Sequence, residues 1–294
     1  MVAFTALALA FLYGTSTVFG ERVGRGCGTS ISAEEKLVNE KRFADHRKHA
    51  PAGLLKAAPL NVYWTLIYTN ETTEGGYLPD KFIEDQMQVL TDDFSPSGLT
   101  FAVQDVRRVH HPEWFSRLGP YSTVDMDIEM KTLYRRGGAA DLNIFTVGFE
   151  VGAASGLLGY ASLPAYYEAF PVQDAVVLAH MTLPGGSFDR FNLGRTLTHE
   201  VGHWVGLYHT FEGGCGEPGD EVEDTASERY GVLGCPVGKD TCPGGGADPI
   251  RVIDNFMDYS DDACMTHFTP GQIARFKDQI ATYRQITSAI DADE

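Results

Sequence analysis

Basic side chains are scarce in this chain. Lys and Arg number 23 against 40 Asp and Glu, for a formal charge of −17. Such an acidic surface argues against nucleic acid as a partner. The shortage is uneven: residues 21–58 carry eight basic and five acidic side chains, a local +3, which leaves −20 on the remainder. Residues 1–20 have no charged side chain at all. Residues 3–13 form an apolar run of signal-peptide length, and Val18-Phe19-Gly20 ends in a small residue, so 1–20 reads as a secretory signal. Its n-region lacks Lys and Arg, which also suits an uncleaved anchor. Beyond it no stretch is apolar enough to cross a membrane, so a protein free of the membrane after signal cleavage is expected. Internal repeats, a low-complexity tail and EF-hand spacing are all missing.

Cysteine is sparse too, at five. In an exported chain this suggests two disulfides and one leftover thiol. Cys215, Cys235, Cys242 and Cys264 cluster in the second half, and Cys27 stands alone near the front. Four cysteines allow three pairings, and spacing does not choose among them. Residues 213–249 are rich in Gly and Pro and short of apolar side chains, so crosslinks should matter more there than packing. Asn70-Glu71-Thr72 is the one glycosylation sequon, placed where an exported protein would show a surface turn.

What is present is concentrated in residues 199–209, His-Glu-Val-Gly-His-Trp-Val-Gly-Leu-Tyr-His. Residues four apart share a helix face, so His199 and His203 can point at one ion, with Glu200 beside it and not a ligand. On an unbroken helix His209 would lie about 15 Å along the axis from His199, out of reach of an ion held at about 2 Å. The helix must therefore stop, and Gly206 sits where the turn is needed. Three neutral imidazoles on zinc leave a fourth position open, which is the coordination of a catalytic site. The bland alternative, an amphipathic helix with two surface histidines, accounts for neither Gly206 nor His209. Glu200 is the candidate general base. His267, His110 and His111 carry no metal spacing; the last two read as strand-end residues.

The segment matches the metzincin pattern, which also asks for a downstream methionine turn, and Asn255-Phe256-Met257-Asp258-Tyr259 fits it. Within the metzincins the chain resembles the pappalysin family, most closely its small secreted fungal members. The resemblance is carried by residues 194–198 leading into the zinc helix, by His209-Thr210-Phe211, and by residues 255–265, and it extends loosely over 60–287. It implies a secreted zinc endopeptidase acting on protein or peptide substrates, for nutrition or degradation of host proteins, and a monomer is expected. It favours the pairings Cys215–Cys242 and Cys235–Cys264. It places Met257 beneath the zinc as an apolar floor and Tyr259 near the metal as a second oxyanion donor, although Tyr259 also reads as a packing tyrosine. Similar enzymes bind calcium near Asp220, Asp224 and Thr225, a stretch that reads equally as a solvated acidic loop. Relatives specific for basic residues use an acid late in the 257–264 segment; here Asp261 and Asp262 are present but Ala263 precedes Cys264, and the sequence does not say which lines a pocket or whether Arg or Lys is preferred.

Cys27 lies in Arg25-Gly26-Cys27-Gly28-Thr29, within the basic segment. A thiolate is a strong zinc ligand, and flanking glycines let the backbone approach closely. Cys27 is therefore a candidate latency device, against an incidental or intermolecularly paired cysteine. Two non-protease readings compete: a secreted zinc-containing binding protein, which would have no use for Glu200, and a catalytically dead decoy, which would not keep every motif residue.

For organisation, 1–20 is expected as signal peptide, 21–58 as prosegment and 59–294 as catalytic domain. Strands are expected over 61–68, 99–109, 142–147 and 174–180, and helices over 78–94, 126–136, 194–206 and 270–286. The expected fold class is α+β, of metzincin type: a mixed twisted sheet, a zinc-binding helix, a disulfide-crosslinked irregular lower half and a C-terminal helix.

Overall fold

The run of β-branched and aromatic residues after Pro59 does form a strand, Leu60–Tyr68 (β1), with six of its nine residues buried. In the computed structural model, which describes residues 25–50, 59–121, 123–216, 218–242 and 253–286, β1 is flanked in parallel by Phe101–His110 (β2) and Leu142–Val147 (β3). Val176–Ala179 (β5) continues the parallel set beside β3. The short Gly159–Ala161 (β4) pairs antiparallel with β5 and forms one edge, giving the order β2-β1-β3-β5-β4. This is the mixed sheet expected from the resemblance. The signal-peptide residues 1–20 lie outside the described residues. No helix among the described residues is long and apolar enough to cross a membrane.

Side chains alternate across a strand, so each strand feeds two cores. Val62, Trp64, Leu66, Ile144, Val176 and Leu178 enter one cluster. Phe145, Val147, Val177 and Ala179 enter the other, with Phe115 and Met130. The first cluster is closed by Asp80–Phe94 (α2), Arg195–Trp204 (α5) and Pro270–Tyr283 (α6). The second is closed by Pro112–Arg117 (α3) and Val124–Tyr134 (α4). Thr269 and Gln272 form a reciprocal capping box at the start of α6, with Pro270 just inside it.

Three elements go beyond the sequence reading. The polar segment ahead of residue 58 contains a fourteen-residue helix, Ala33–His46 (α1), started by a Ser32/Glu35 capping box. Its apolar periodicity is weak because its inner face is polar, with Lys36 and Asn39 buried beside Phe43. α3 is a single apolar-and-charged turn and half, with His111 accepting from Trp114 N as its cap. β4 is three residues long, too short for any alternation to register.

Candidate metal centre

The orientation of α5 is set at its first turns. Asp93 of α2 forms an ion pair with Arg195 and accepts a 2.6 Å hydrogen bond from the Thr198 hydroxyl. His199 and His203, one turn apart, then lie on a shared face with ring centroids 4.8 Å apart. The helix ends at Trp204. Gly206 follows with φ 109°, and a Cβ there would fall 2.7 Å from Gln279 of α6, so both conformation and space demand glycine. The turned chain returns His209 with its ring centroid 4.5 Å from His203 and 5.2 Å from His199.

The donor atoms are arranged for a cation. The His199 Nδ1–H reaches the Phe256 carbonyl at 2.7 Å and that of His203 the Leu207 carbonyl at 2.9 Å, a pattern that leaves both Nε2 lone pairs free. His199 Nε2 is buried with no protein partner. His203 Nε2 and His209 Nε2 stand 3.1 Å apart. Burial first, and then the neighbouring imidazoles, hold His199 and His209 well below the ordinary histidine range; burial takes His203 down to about 4. Neutral imidazoles are the form that binds metal. The residues present therefore fit a zinc ion.

Glu200 lies beside this cluster, almost fully buried, and desolvation pushes its carboxyl up to about 8. Met257 lies beneath α5: a Cβ on Gly202 would meet its sulfur at 2.4 Å, so only glycine permits that approach. Asn255 fixes the turn, accepting from Met257 N and exchanging two hydrogen bonds with Gln272 of α6. The Tyr259 ring is 5.0 Å from that of His209, and burial raises its phenol, keeping it protonated.

Residues 25–29 fill the cleft over the cluster. They run parallel to β4, with Leu158 N donating to Gly26 O at 2.7 Å and Gly28 N to Gly159 O at 2.8 Å. Cys27 Sγ comes within 3.5 Å of His203 Nε2 and 3.7 Å of Glu200 Oε2. Its donor atom and those of the three histidines lie within 4.8 Å of one another. The thiol is pushed up by burial, then by the Glu200 charge. Thr29 donates to Glu200 at 3.3 Å. Arg25 enters a closed pocket, 2.5 Å from Asp262 Oδ1, within 3.4 Å of the Ser260 carbonyl and over the Phe191 ring. Asp262 Oδ2 accepts from Leu193 N. Of the two candidate acids, Asp262 lines the pocket, and Asp261 pairs instead with Arg190 at the surface.

Elsewhere, Cys215–Cys242 and Cys235–Cys264 are bonded and Cys27 is free. The acidic knot divides. Asp220 accepts from Val222 N and the Thr225 hydroxyl through Oδ1, while its buried Oδ2 has no partner. Asp224 instead caps α6 through Thr269 and Gly271 N. His267 faces Asp254 at 3.7 Å and stands outside the metal-type cluster. Asn70 is exposed in an Asx turn with Thr72. Sequence reading missed Asp93, for which no local signal exists, and Arg25, whose place in the Arg25-Gly26-Cys27 run was visible without its role.

A mixed sheet over a His-Glu-x-x-His helix, with a third imidazole returned by a glycine turn, defines a metalloprotease of metzincin type. The family model for Peptidase M43, described as pregnancy-associated plasma protein-A, matches residues 176–281. An extracellular metalloprotease of Verticillium alfalfae is 40% identical over 268 residues, spanning 89% of this chain and 92% of the relative. Extracellular metalloprotease 1 of Coccidioides posadasii is 36% identical over 96% of this chain and 98% of its own. Among solved structures, a promirolysin mutant of Tannerella forsythia superposes with TM-score 0.71 at 23% identity, covering 90% of this chain and 97% of that one. Mature mirolysin in complex with a cleaved peptide gives TM-score 0.64 at 24% identity, covering 79% and 97%. The chain belongs to the pappalysin (M43) family of zinc metalloendopeptidases.

Proposed function

We propose that this chain is the latent precursor of an exported zinc endopeptidase whose prosegment holds its own cleft closed. The observation that carries the reading is the meeting of Cys27 with His199, His203 and His209 at one point. The three histidines would hold zinc through Nε2. Zinc, when bound, supplies electrophilic assistance and lowers the pKa of a water toward about 7. Glu200 would take a proton from the attacking water and hand it to the departing amine. Its carboxyl is reachable only once Thr29 and Cys27 leave. Tyr259 keeps its proton and is placed to donate to the developing oxyanion. Met257 forms the apolar floor under the rings.

Cys27 would complete a closed set of four donors, the arrangement of a structural and not a catalytic site. Removal of the segment would take the Cys27 sulfur away from the three imidazoles. The likeness to promirolysin spans more of this chain than the likeness to mature mirolysin, which supports a removable N-terminal segment. Arg25 supports a substrate preference as well: a guanidinium already seated on Asp262 marks that pocket as one for a basic side chain next to the scissile bond. The relatives' extracellular names support export and extracellular protein substrates, degraded for nutrition or from a host. The bare Oδ2 of Asp220 is what supports a calcium ion held with Thr225; Asp224 is engaged with α6. Asn70 is accessible for glycosylation.

Metal analysis tests the ligand set. His209→Ala should lose zinc and activity together, whereas His267→Ala should lose neither. Equal zinc in the two purified variants would remove His209 from the site.

A further inference from the structure

A peptide added to a sheet edge sends alternate side chains to opposite faces. Along β4 the odd residues of the prosegment face the catalytic groups: Arg25 enters the Asp262 pocket, Cys27 meets His203, and Thr29 reaches Glu200. The even residues face away from that cluster. A Cβ built on Gly28 would point at Pro120 and Tyr160, 3.1 Å from each. Those two residues line a cavity of about 440 Å³ that opens beside residues 28–30. This volume lies within the range of small-ligand sites.

Tyr160, Tyr166, Tyr167, Phe170 and Val124 line the cavity, together with polar side chains that include Glu35 of α1. Phe170 is 54% exposed and Val124 39%, so apolar surface faces water along the cleft. The floor is a buried Lys131–Asp127 pair, with the Tyr160 hydroxyl donating to Asp127 at 2.6 Å. The prosegment passes over this space with Gly28, Thr29 and Ser30, whose small side chains leave it unfilled.

We propose that this cavity is a second specificity pocket, which takes a large aromatic side chain of the peptide substrate on the side of the scissile bond opposite the basic pocket. Arg25 and Ser30 lie on either side of Cys27, so a substrate in the same cleft meets the two pockets on either side of the reacting bond. The aromatic side chains of the lining favour an aromatic guest by offset and edge-to-face contact beyond simple burial. A polar tip on that guest would meet the Lys131 ammonium at the floor. The inference rests on the protease reading and on the basic preference given above.

The full-length chain is expressed for export, and its active secreted form is assayed on peptides with Arg fixed on one side of the bond. The two positions nearest the bond on the other side carry Ala, Leu, Phe, Tyr or Glu. Phe and Tyr should raise kcat/KM about 10-fold over Ala at one of these positions, the discrimination that a shaped apolar pocket supplies. Phe170→Ala, which removes a lining ring, and Val124→Trp, which narrows the space, should each bring that ratio toward unity. Equal rates on Phe and Ala peptides, with the Arg preference intact, overturn the inference alone. So does an aromatic preference that survives both variants. Failure to cut any peptide overturns the protease reading beneath it as well.

Discussion

Residues 25–50 and the body they cover are held by different forces. The body is built on two apolar clusters on the two faces of one sheet. The segment buries a single large apolar side chain, Phe43, and leaves Leu37 and Val38 well exposed. Its grip is polar. Glu40 accepts from Arg275 at 2.6 and 3.0 Å and from the Tyr208 hydroxyl, Arg47 pairs with Asp278, Lys36 with Glu221, and Arg25 with Asp262. The body rests on apolar burial, whereas the segment is held mainly by ion pairs and hydrogen bonds, which is the contrast the proposed release of the segment relies on. The charge count shows the same contrast, with +3 on residues 21–58 and −20 on the remainder.

The comparison can be broken first on the side of the body. Glu200→Ala leaves the sheet, the imidazoles and the docked ion pairs in place but removes the proton carrier. Activity of the processed variant should fall by about 10²–10⁴-fold with zinc retained. Turnover near that of the parent would sink the assignment of the base.

Asp262→Asn acts where the two regions meet. Losing the charge leaves Arg25 buried without a counter-ion, a loss of about 3–5 kcal/mol for a pair of this burial. The segment should release more readily on limited proteolysis. The processed variant should lose most of its discrimination between Arg and neutral residues in peptide profiling. An unchanged Arg preference would show that the prosegment does not mimic substrate at this pocket.

The smallest effect concerns the loop on which α1 leans. Burial pushes the Asp220 carboxyl up to about 6, above its ordinary value of 3.8. A raised carboxyl pKa means that the folded state holds the proton more tightly. Its contribution to stability is complete below pH 3.8 and is lost as pH rises through about 6. Asp220→Asn should flatten this part of the thermal stability profile between pH 4 and 6.5, measured without added divalent ions. A profile that keeps its slope would assign the titration to another group.

How much of this could be read in the sequence follows the same division. The helix carrying His199 and His203, its glycine stop and the returning His209 are local and obey fixed spacings, so the grouping of these three side chains is legible in the sequence. The strands at 142–147 and 61–68 were legible from their composition, because buried parallel strands read as continuous apolar runs. The segment 25–50 was not. Its helix faces charged partners hundreds of residues away in sequence, Arg275 and Asp278 among them, and no periodicity records an ion pair. The Ser32/Glu35 capping box was the one local mark of α1. Asp93, which orients α5 from α2, is invisible for the same reason, and β4 is too short to read although the whole cleft is built on its edge. The choice of Asp262 over Asp261 needed the turn geometry, since adjacent residues project in different directions.

The central claim is that the segment keeps the body silent through one atom, the sulfur of Cys27. The most direct measurement is activity of the intact, unprocessed chain carrying Cys27→Ala, with Arg25 and the α1 contacts untouched. The account predicts premature hydrolysis of a peptide substrate by the variant at a cleft the parent keeps closed, with equal zinc in both. A Cys27→Ala precursor as silent as the parent, yet fully active once the segment is cut away, would contradict it and leave the ion pairs alone as the latency device.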